Sequence, residues 1–252
     1  MPNFLIIGAA KAATTSLSSL LEQHPEAAIV QWKEPHFFSF DKHYRLGWEA
    51  YLRLYAHCRG EKAIGDASTS YSRLRHHPQT LVRIQRHLAD PKIIYMVRHP
   101  LERMESAYVE HLRSSGVSFA SINEAVRRQP MIVDSSRYWE VFEAYRSCFG
   151  ESRIKVVWFE DYTARPLQVF QEVCRFLGID DRFVPDLGAQ ERNGRSEVVA
   201  QALGVNRNVT AIDTTWREDL RREVIETLRE DNLRFLAHFG RPRDHWGGLF
   251  TA

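Results

Sequence analysis

The chain has 252 residues, a net charge of +2 and an apolar fraction of 44%, which suits one sizeable globular domain or two small ones, and α/β chains of this length often form one. With 34 basic against 32 acidic residues there is no basis for a general nucleic-acid binder, although positive charge can still be gathered at one cleft. No apolar run approaches membrane-spanning length, and the first strand-like run starts too close to the initiator Met for a signal peptide, so the expectation is a soluble, cytoplasmic protein with no nucleic-acid or membrane partner. Cys58, Cys148 and Cys174 are odd in number and lack Cys-x-x-Cys spacing, which argues against a disulfide framework and against zinc.

Phe4–Gly8 reads as a buried strand. A run of small residues follows, Ala9-Ala10-Lys11-Ala12-Ala13-Thr14-Thr15-Ser16, and then Leu17, Leu20 and Leu21 at helical spacing. Strand, tight loop and helix present backbone N–H groups to a phosphate, the helix N-terminus adding partial positive charge and Lys11 a full one. The lysine comes too early for a Walker A loop. An ordinary strand-to-helix turn with a surface lysine would read the same way. A second strand-like run near 27–30 leads into Lys33-Glu34-Pro35-His36-Phe37-Phe38, and a third near 62–66 into Gly65-Asp66-Ala67-Ser68-Thr69-Ser70-Tyr71. His76-His77 has no acidic partner at metal-binding spacing and reads as a solvated turn before Pro78.

The fourth run, 92–97, ends in Arg98-His99-Pro100. Pro100 fits the first turn of a helix, which places Arg98 at the strand's C-terminal edge and Ser106 about two turns into the helix. From about 111 to 137 the pattern is weaker and polar; it reads equally as an acceptor-binding lid or as plain surface helices. A fifth run at 154–158 precedes an amphipathic helix over 164–177, with Cys174 as a core thiol, and Leu220, Val224 and Leu228 begin a long C-terminal helix. The alternation predicts a single α/β domain over 1–252, a central parallel sheet flanked by helices. Lys11 and Arg98 both fall at the carboxyl ends of strands, where open α/β sheets bind ligands.

In these segments the chain resembles sulfotransferases that use 3′-phosphoadenosine-5′-phosphosulfate (PAPS). The first loop resembles the family's Gly-x-x-Lys-x-Gly-Thr-Thr phosphosulfate loop. The segment from Arg98 resembles Arg-Asp-Pro-x-x-Arg-x-x-Ser-x-Tyr, whose first Arg and Ser hold the 3′-phosphate. Lys33–Phe38 resembles the stretch that carries the catalytic glutamate in the heparan-sulfate-type branch and its soluble bacterial relatives. The other branch, acting on phenols and steroids, typically uses a later histidine. Ile154–Tyr162 resembles the family's later strand and acidic turn, and Gln190–Ser196 the loop that closes over the nucleotide. The resemblance implies Glu34 as base and Lys11 as the residue that stabilises charge on the bridging oxygen. It implies a donor site of Lys11, Ala12, Ala13, Thr14, Thr15, Ser16, Arg98, Ser106, Gly194 and Arg195, with PAPS as donor, PAP as product and no metal. Taken without the resemblance, Glu34 reads better as a surface carboxylate beside Lys33.

Three positions depart from the family pattern. Ala13 stands where glycine is preferred, so the loop must avoid positive φ there or accept a cost. His99 replaces an aspartate, and Ala67 stands where some glycosaminoglycan enzymes carry a lysine. His36, Tyr71, Arg73 and Tyr138, with Phe38, Tyr44 and Trp48, form a candidate acceptor cleft for a saccharide or small molecule. The expected reaction is in-line sulfuryl transfer to a hydroxyl or amine. The alternatives are a small-molecule kinase, for which Walker spacing and a magnesium-binding Asp are not in place, and a PAP/PAPS-binding module without catalysis.

Overall fold

The computed structural model describes residues 1–114, 119–188 and 212–251. Five parallel strands form one sheet in the order β2-β3-β1-β4-β5: β1 Phe4–Gly8, β2 Ala27–Ile29, β3 Ala63–Ala67, β4 Lys92–Val97 and β5 Ile154–Trp158. They follow the sequence expectation to within a residue. β1 is central and buried along its whole length. An apolar run of that kind, with no alternation, belongs in a sheet covered on both faces. Phe4 lies opposite Gly65 on one side and Lys92 on the other. A Cβ at Gly65 would stand 2.2 Å from the Phe4 ring, so that close approach requires the glycine.

The helices are α1 Thr14–Leu21, α2 Asp41–Tyr44, α3 Trp48–Arg53, α4 Thr80–His87, α5 Pro100–Ser114, α6 Ile122–Arg128, α7 Pro130–Asp134, α8 Tyr138–Phe149, α9 Phe159–Ala164, α10 Pro166–Leu177 and α11 Glu218–His238. The helix predicted over 164–177 is α10, which begins two residues later at Pro166 because Arg165 leaves the helical region and Ala164 ends α9. Cys174 is in the core, as expected. The segment from 111 to 137 is better packed than its polar composition suggests: Ile122, Ala125, Val126 and Ile132 are buried. His76 does have an acidic partner, supplied from α7, with its Nε2 3.1 Å from Asp134 Oδ2. That pairing spans 58 residues, beyond any local spacing rule. Among the described residues no helix is long and apolar enough to cross a membrane.

Two buried polar groups organise the interior. The fully buried Arg103 guanidinium donates to Ser136 Oγ at 2.7 Å, to the Ala10 carbonyl at 3.5 Å and to the Ile132 carbonyl. It ties α5 to the β1–α1 loop and to α7. Asp66, 0% exposed at the end of β3, accepts from Tyr51 at 2.8 Å, Tyr71 at 2.6 Å and Ser68 at 2.7 Å. Burial pushes the Asp66 carboxyl up to about 6, against the pull of these three hydroxyls.

The loop after β1 has unusual backbone geometry. Lys11 has φ 70° and Ala13 φ 67°, a region that L-residues other than glycine, Asn and Asp rarely occupy. The loop therefore accepts the cost at Ala13 that the missing glycine implies. Ala13 is also the N-cap of α1 and supplies no side-chain acceptor to it.

Two predictions follow from these features. Ala13→Gly relieves the left-handed strain and improves the cap, partly offset by greater freedom of the unfolded chain, for a net gain of about 0.5–1 kcal/mol. Thermal unfolding should shift upward by about 1–4 °C; an unchanged or lower Tm would show that residue 13 carries no strain. For Asp66, the folded-state value lies above the unfolded one. The stability it contributes is complete below about pH 4 and is lost as pH rises through about 6. Relative to Asp66→Asn, the parent chain should lose on the order of 3 kcal/mol of unfolding free energy between pH 4 and 7. Parallel pH profiles for the two chains would contradict this.

Candidate active site

The C-terminal ends of β1, β2, β3 and β4 converge on one edge of the sheet, and the chain that leaves each of them supplies part of the site. Gly8 ends β1 with φ 138°, and a Cβ there would meet Ser72 Oγ at 2.3 Å, so the turn depends on glycine. The loop is then held to β4 by Ala9 N–H donating to the Met96 carbonyl at 2.6 Å. The N–H groups of Thr14, Thr15 and Ser16 open α1 with no side-chain cap, which leaves a positive helix terminus suited to an anion. Ser16 is 2.6 Å from the Tyr162 hydroxyl of α9.

Two lysines attend this loop. The Lys11 ammonium pairs with Glu110 of α5. The Lys33 ammonium hydrogen-bonds the Thr15 hydroxyl and stands 4.0 Å from Glu34. Burial lowers the Lys33 pKa below its usual value, with Lys11 pushing the same way and Glu34 and Glu110 opposing. Lys33 was not among the sequence candidates. A lysine next to a glutamate gives no signal of its own, and only the turn after β2 carries its side chain back to α1.

Glu34 lies in that turn, with φ 57°. Its Oε2 accepts from the Thr69 hydroxyl at 3.1 Å and lies 3.3 Å from His36 Nε2. His36, with φ 51°, places Nδ1 2.7 Å from Ser70 Oγ. Burial first, and then Arg73, depress the His36 pKa to about 4, so the ring is neutral at ordinary pH. The ring thus lies between the Glu34 carboxylate, 3.3 Å from Nε2, and the Ser70 hydroxyl at Nδ1. Non-glycine left-handed residues at 11, 13, 34 and 36 all belong to these two turns, and such strain gathers at functional sites. Trp32, two residues before Glu34, is 70% exposed, a large ring on the surface beside the carboxylate that sequence patterning did not single out.

Arg98 leaves β4 with its guanidinium 4.3 Å above the Phe159 ring. It donates to the Lys11 carbonyl at 3.4 Å and to Glu102 at 3.1 Å, and its buried Nε has no partner among the described residues. Ser106 is half-buried on α5. At the start of α5, His99 Nδ1 accepts from Glu102 N–H at 3.4 Å, while its own N–H donates to Glu160 at 2.8 Å. Arg73 follows the 3₁₀ turn Thr69–Ser72. Burial lowers its pKa, and Glu34 and Glu110 oppose that shift.

Several expected acceptor contacts are corrected. Tyr71 and Tyr138 are both 0% exposed. The Tyr71 hydroxyl is committed to Asp66, and the Tyr138 hydroxyl donates to the Arg98 carbonyl at 2.6 Å. Phe38 is buried in the core, Tyr44 sits 3.0 Å from His87 and Trp48 stacks on the His87 ring. Tyr71, Tyr138 and Phe38 are thus closed to solvent, while Tyr44 and Trp48 are half-buried against His87. Gly194 and Arg195 lie outside the described residues. Among the described residues no cluster of His, Cys, Asp and Glu could hold a metal.

The family profile described as "Sulfotransferase domain" matches residues 1–234. The chain is 27% identical over 261 residues to mouse heparan sulfate glucosamine 3-O-sulfotransferase 3B1, covering 96% of this chain and 64% of that protein. It is 34% identical over 111 residues to the membrane-associated sulfotransferase kil1 of Dictyostelium discoideum, covering 43% of this chain and 22% of that one. The chain thus spans less than two thirds of the length of these relatives. Among solved structures, a sulfotransferase from Alicyclobacillus acidocaldarius superposes with a TM-score of 0.77 at 29% identity, covering 98% of both chains. A mouse sulfotransferase complexed with PAP shares the fold at a TM-score of 0.56 and 14% identity, covering 95% of this chain and 88% of that one. The domain match runs through the loop of Lys11, the turn of Glu34 and the start of α5, and with it the chain belongs to the sulfotransferase family.

Proposed function

We propose that this chain is a PAPS-dependent sulfotransferase acting on a hydroxyl or amine of a carbohydrate or small-molecule acceptor. The observation that carries the reading is the convergence of an uncapped helix terminus, Lys11, Lys33 and a held carboxylate, Glu34, at one edge of the sheet. The name of the mouse relative, a heparan sulfate glucosamine 3-O-sulfotransferase, supports a sugar hydroxyl as the acceptor. The cytoplasmic setting is part of the proposal and rests on the sparse, odd set of cysteines.

The residues fit the donor's charges. The N–H groups of 14–16, with Lys11 and Lys33, suit the 5′-phosphosulfate, and Arg98 with Ser106 suits the 3′-phosphate. When bound, the donor supplies the sulfuryl group, its bond from sulfur to the phosphate oxygen breaking as the acceptor oxygen or nitrogen bonds to sulfur. Glu34 takes the acceptor's proton, a role worth about 10²–10⁴-fold. Thr69 donates to Glu34 Oε2 and His36 lies beside that same oxygen, which leaves Oε1 for the acceptor's proton. Lys11 neutralises the charge left on the phosphate oxygen. Positioning and charge stabilisation dominate such transfers.

Transfer of label from PAPS to a panel of acceptors tests the reaction class. In thermal-shift measurements PAP should raise Tm by mass action, adenosine 5′-phosphosulfate less so, and equal shifts from the two would remove the case for a 3′-phosphate site. Glu34→Gln should lower kcat by about two orders of magnitude or more, with PAP affinity within a few fold of the parent. His36→Ala should lower kcat about ten-fold by loosening the base. With His36 neutral, the parent's rate should show no inflection near pH 6.5 that His36→Ala abolishes. Near-normal kcat in Glu34→Gln would end the assignment of the base.

A further inference from the structure

Glu102, Ser106 and Glu110 recur every four residues on α5 and so share one face of the helix. The Glu102 carboxylate lies 3.1 Å from the Arg98 guanidinium, and the Glu110 carboxylate meets the Lys11 ammonium across 99 residues of chain. The two cations suited to the two ends of a doubly charged nucleotide are therefore each engaged by a carboxylate one turn to either side of Ser106. Both acids are exposed, at 54% and 53% of their side-chain surface, so neither is needed to satisfy a buried charge. Glu110 also acts electrostatically on Arg73 and Lys33, which places it in the field of the reacting centre. Nothing in the reaction scheme uses either acid.

We propose that Glu102 and Glu110 are internal counter-anions that compete with the donor nucleotide, Glu102 for Arg98 against the 3′-phosphate and Glu110 for Lys11 against the 5′ end. Anionic ligand and carboxylate cannot both hold the same cation without bringing like charges together. Each acid therefore lowers nucleotide affinity, and the product PAP is released more easily for it. The assignment rests on the donor reading above.

The test is isothermal titration of PAP, adenosine 5′-phosphate and inorganic pyrophosphate into the parent chain, Glu102→Gln and Glu110→Gln. Exposed ion pairs contribute little by themselves, and the relieved repulsion adds to that, so each variant should bind PAP about three- to ten-fold more tightly at low salt, with the gain shrinking in 0.5 M salt. Glu110→Gln should also tighten adenosine 5′-phosphate and pyrophosphate, whereas Glu102→Gln should leave both unchanged, since they lack a 3′-phosphate. In a Lys11→Met background the gain from Glu110→Gln should shrink, leaving only what Glu110 exerts through Lys33 and Arg73. Unchanged or weaker PAP binding in the Gln variants overturns the inference, as does a gain from Glu110→Gln that is undiminished without Lys11. If the parent binds adenosine 5′-phosphate as well as PAP, the 3′-phosphate reading and the Glu102 assignment fall together, and Glu110 is judged on adenosine 5′-phosphate and pyrophosphate. Binding of none of the three overturns both the donor reading and the inference.

Discussion

The buried guanidinium of Arg103 joins parts of the chain that the sheet alone leaves independent. Its hydrogen bonds reach the Ala10 carbonyl, Ser136 and the Ile132 carbonyl, so the loop after β1, helix α5 and the α7 region share one cation. Burying a charge with only neutral acceptors is costly, and burial accordingly lowers the Arg103 pKa. The arrangement persists because each of the three guanidinium nitrogens meets an acceptor, which a lysine's compact ammonium could not reproduce. Through this contact the position of Lys11 is coupled to that of α5, and hence to Arg98, Ser106 and Glu110.

Around that anchor the site is built from strain and charge in opposition. Lys11, Ala13, Glu34 and His36 hold left-handed backbone conformations, each a local cost met by the packing of two turns against a fully buried sheet end. The cations are not left in isolation. Lys11, Lys33 and Arg98 each lie beside a carboxylate, and Glu34 accepts from Thr69 with the neutral His36 alongside. The backbone of both turns is set by packing, and groups carried on a preset backbone stabilise charge with little reorganisation.

Aromatic residues that look available in the sequence serve this rigidity. Tyr51 and Tyr71 donate to Asp66 beneath the 3₁₀ turn that carries Thr69, and Tyr138 holds the Arg98 carbonyl. Phe37 stacks on Tyr51 with centroids 4.4 Å apart, which fixes the far end of the Glu34 turn. Packing here decides where the turn of Glu34 can point.

The sequence by itself determined the sheet, because short apolar runs of about five residues separated by helical patterns can bury both faces only as parallel strands. It also marked Lys11 and Arg98, since each follows such a run at a strand's carboxyl end, whereas Glu34 stood out only by its resemblance to a family motif. Only the tertiary structure decided which side chains share that cleft. The pairing of Lys33 with Thr15, of Glu110 with Lys11 and of His36 with Glu34 depends on how three turns fold back on one another, and no periodicity encodes that distance. The loss of Tyr71 and Tyr138 to the core has the same cause. A tyrosine's exposure is set by what packs over it: here Asp66 and the Arg98 carbonyl take the hydroxyls that a sequence reading leaves open to a ligand.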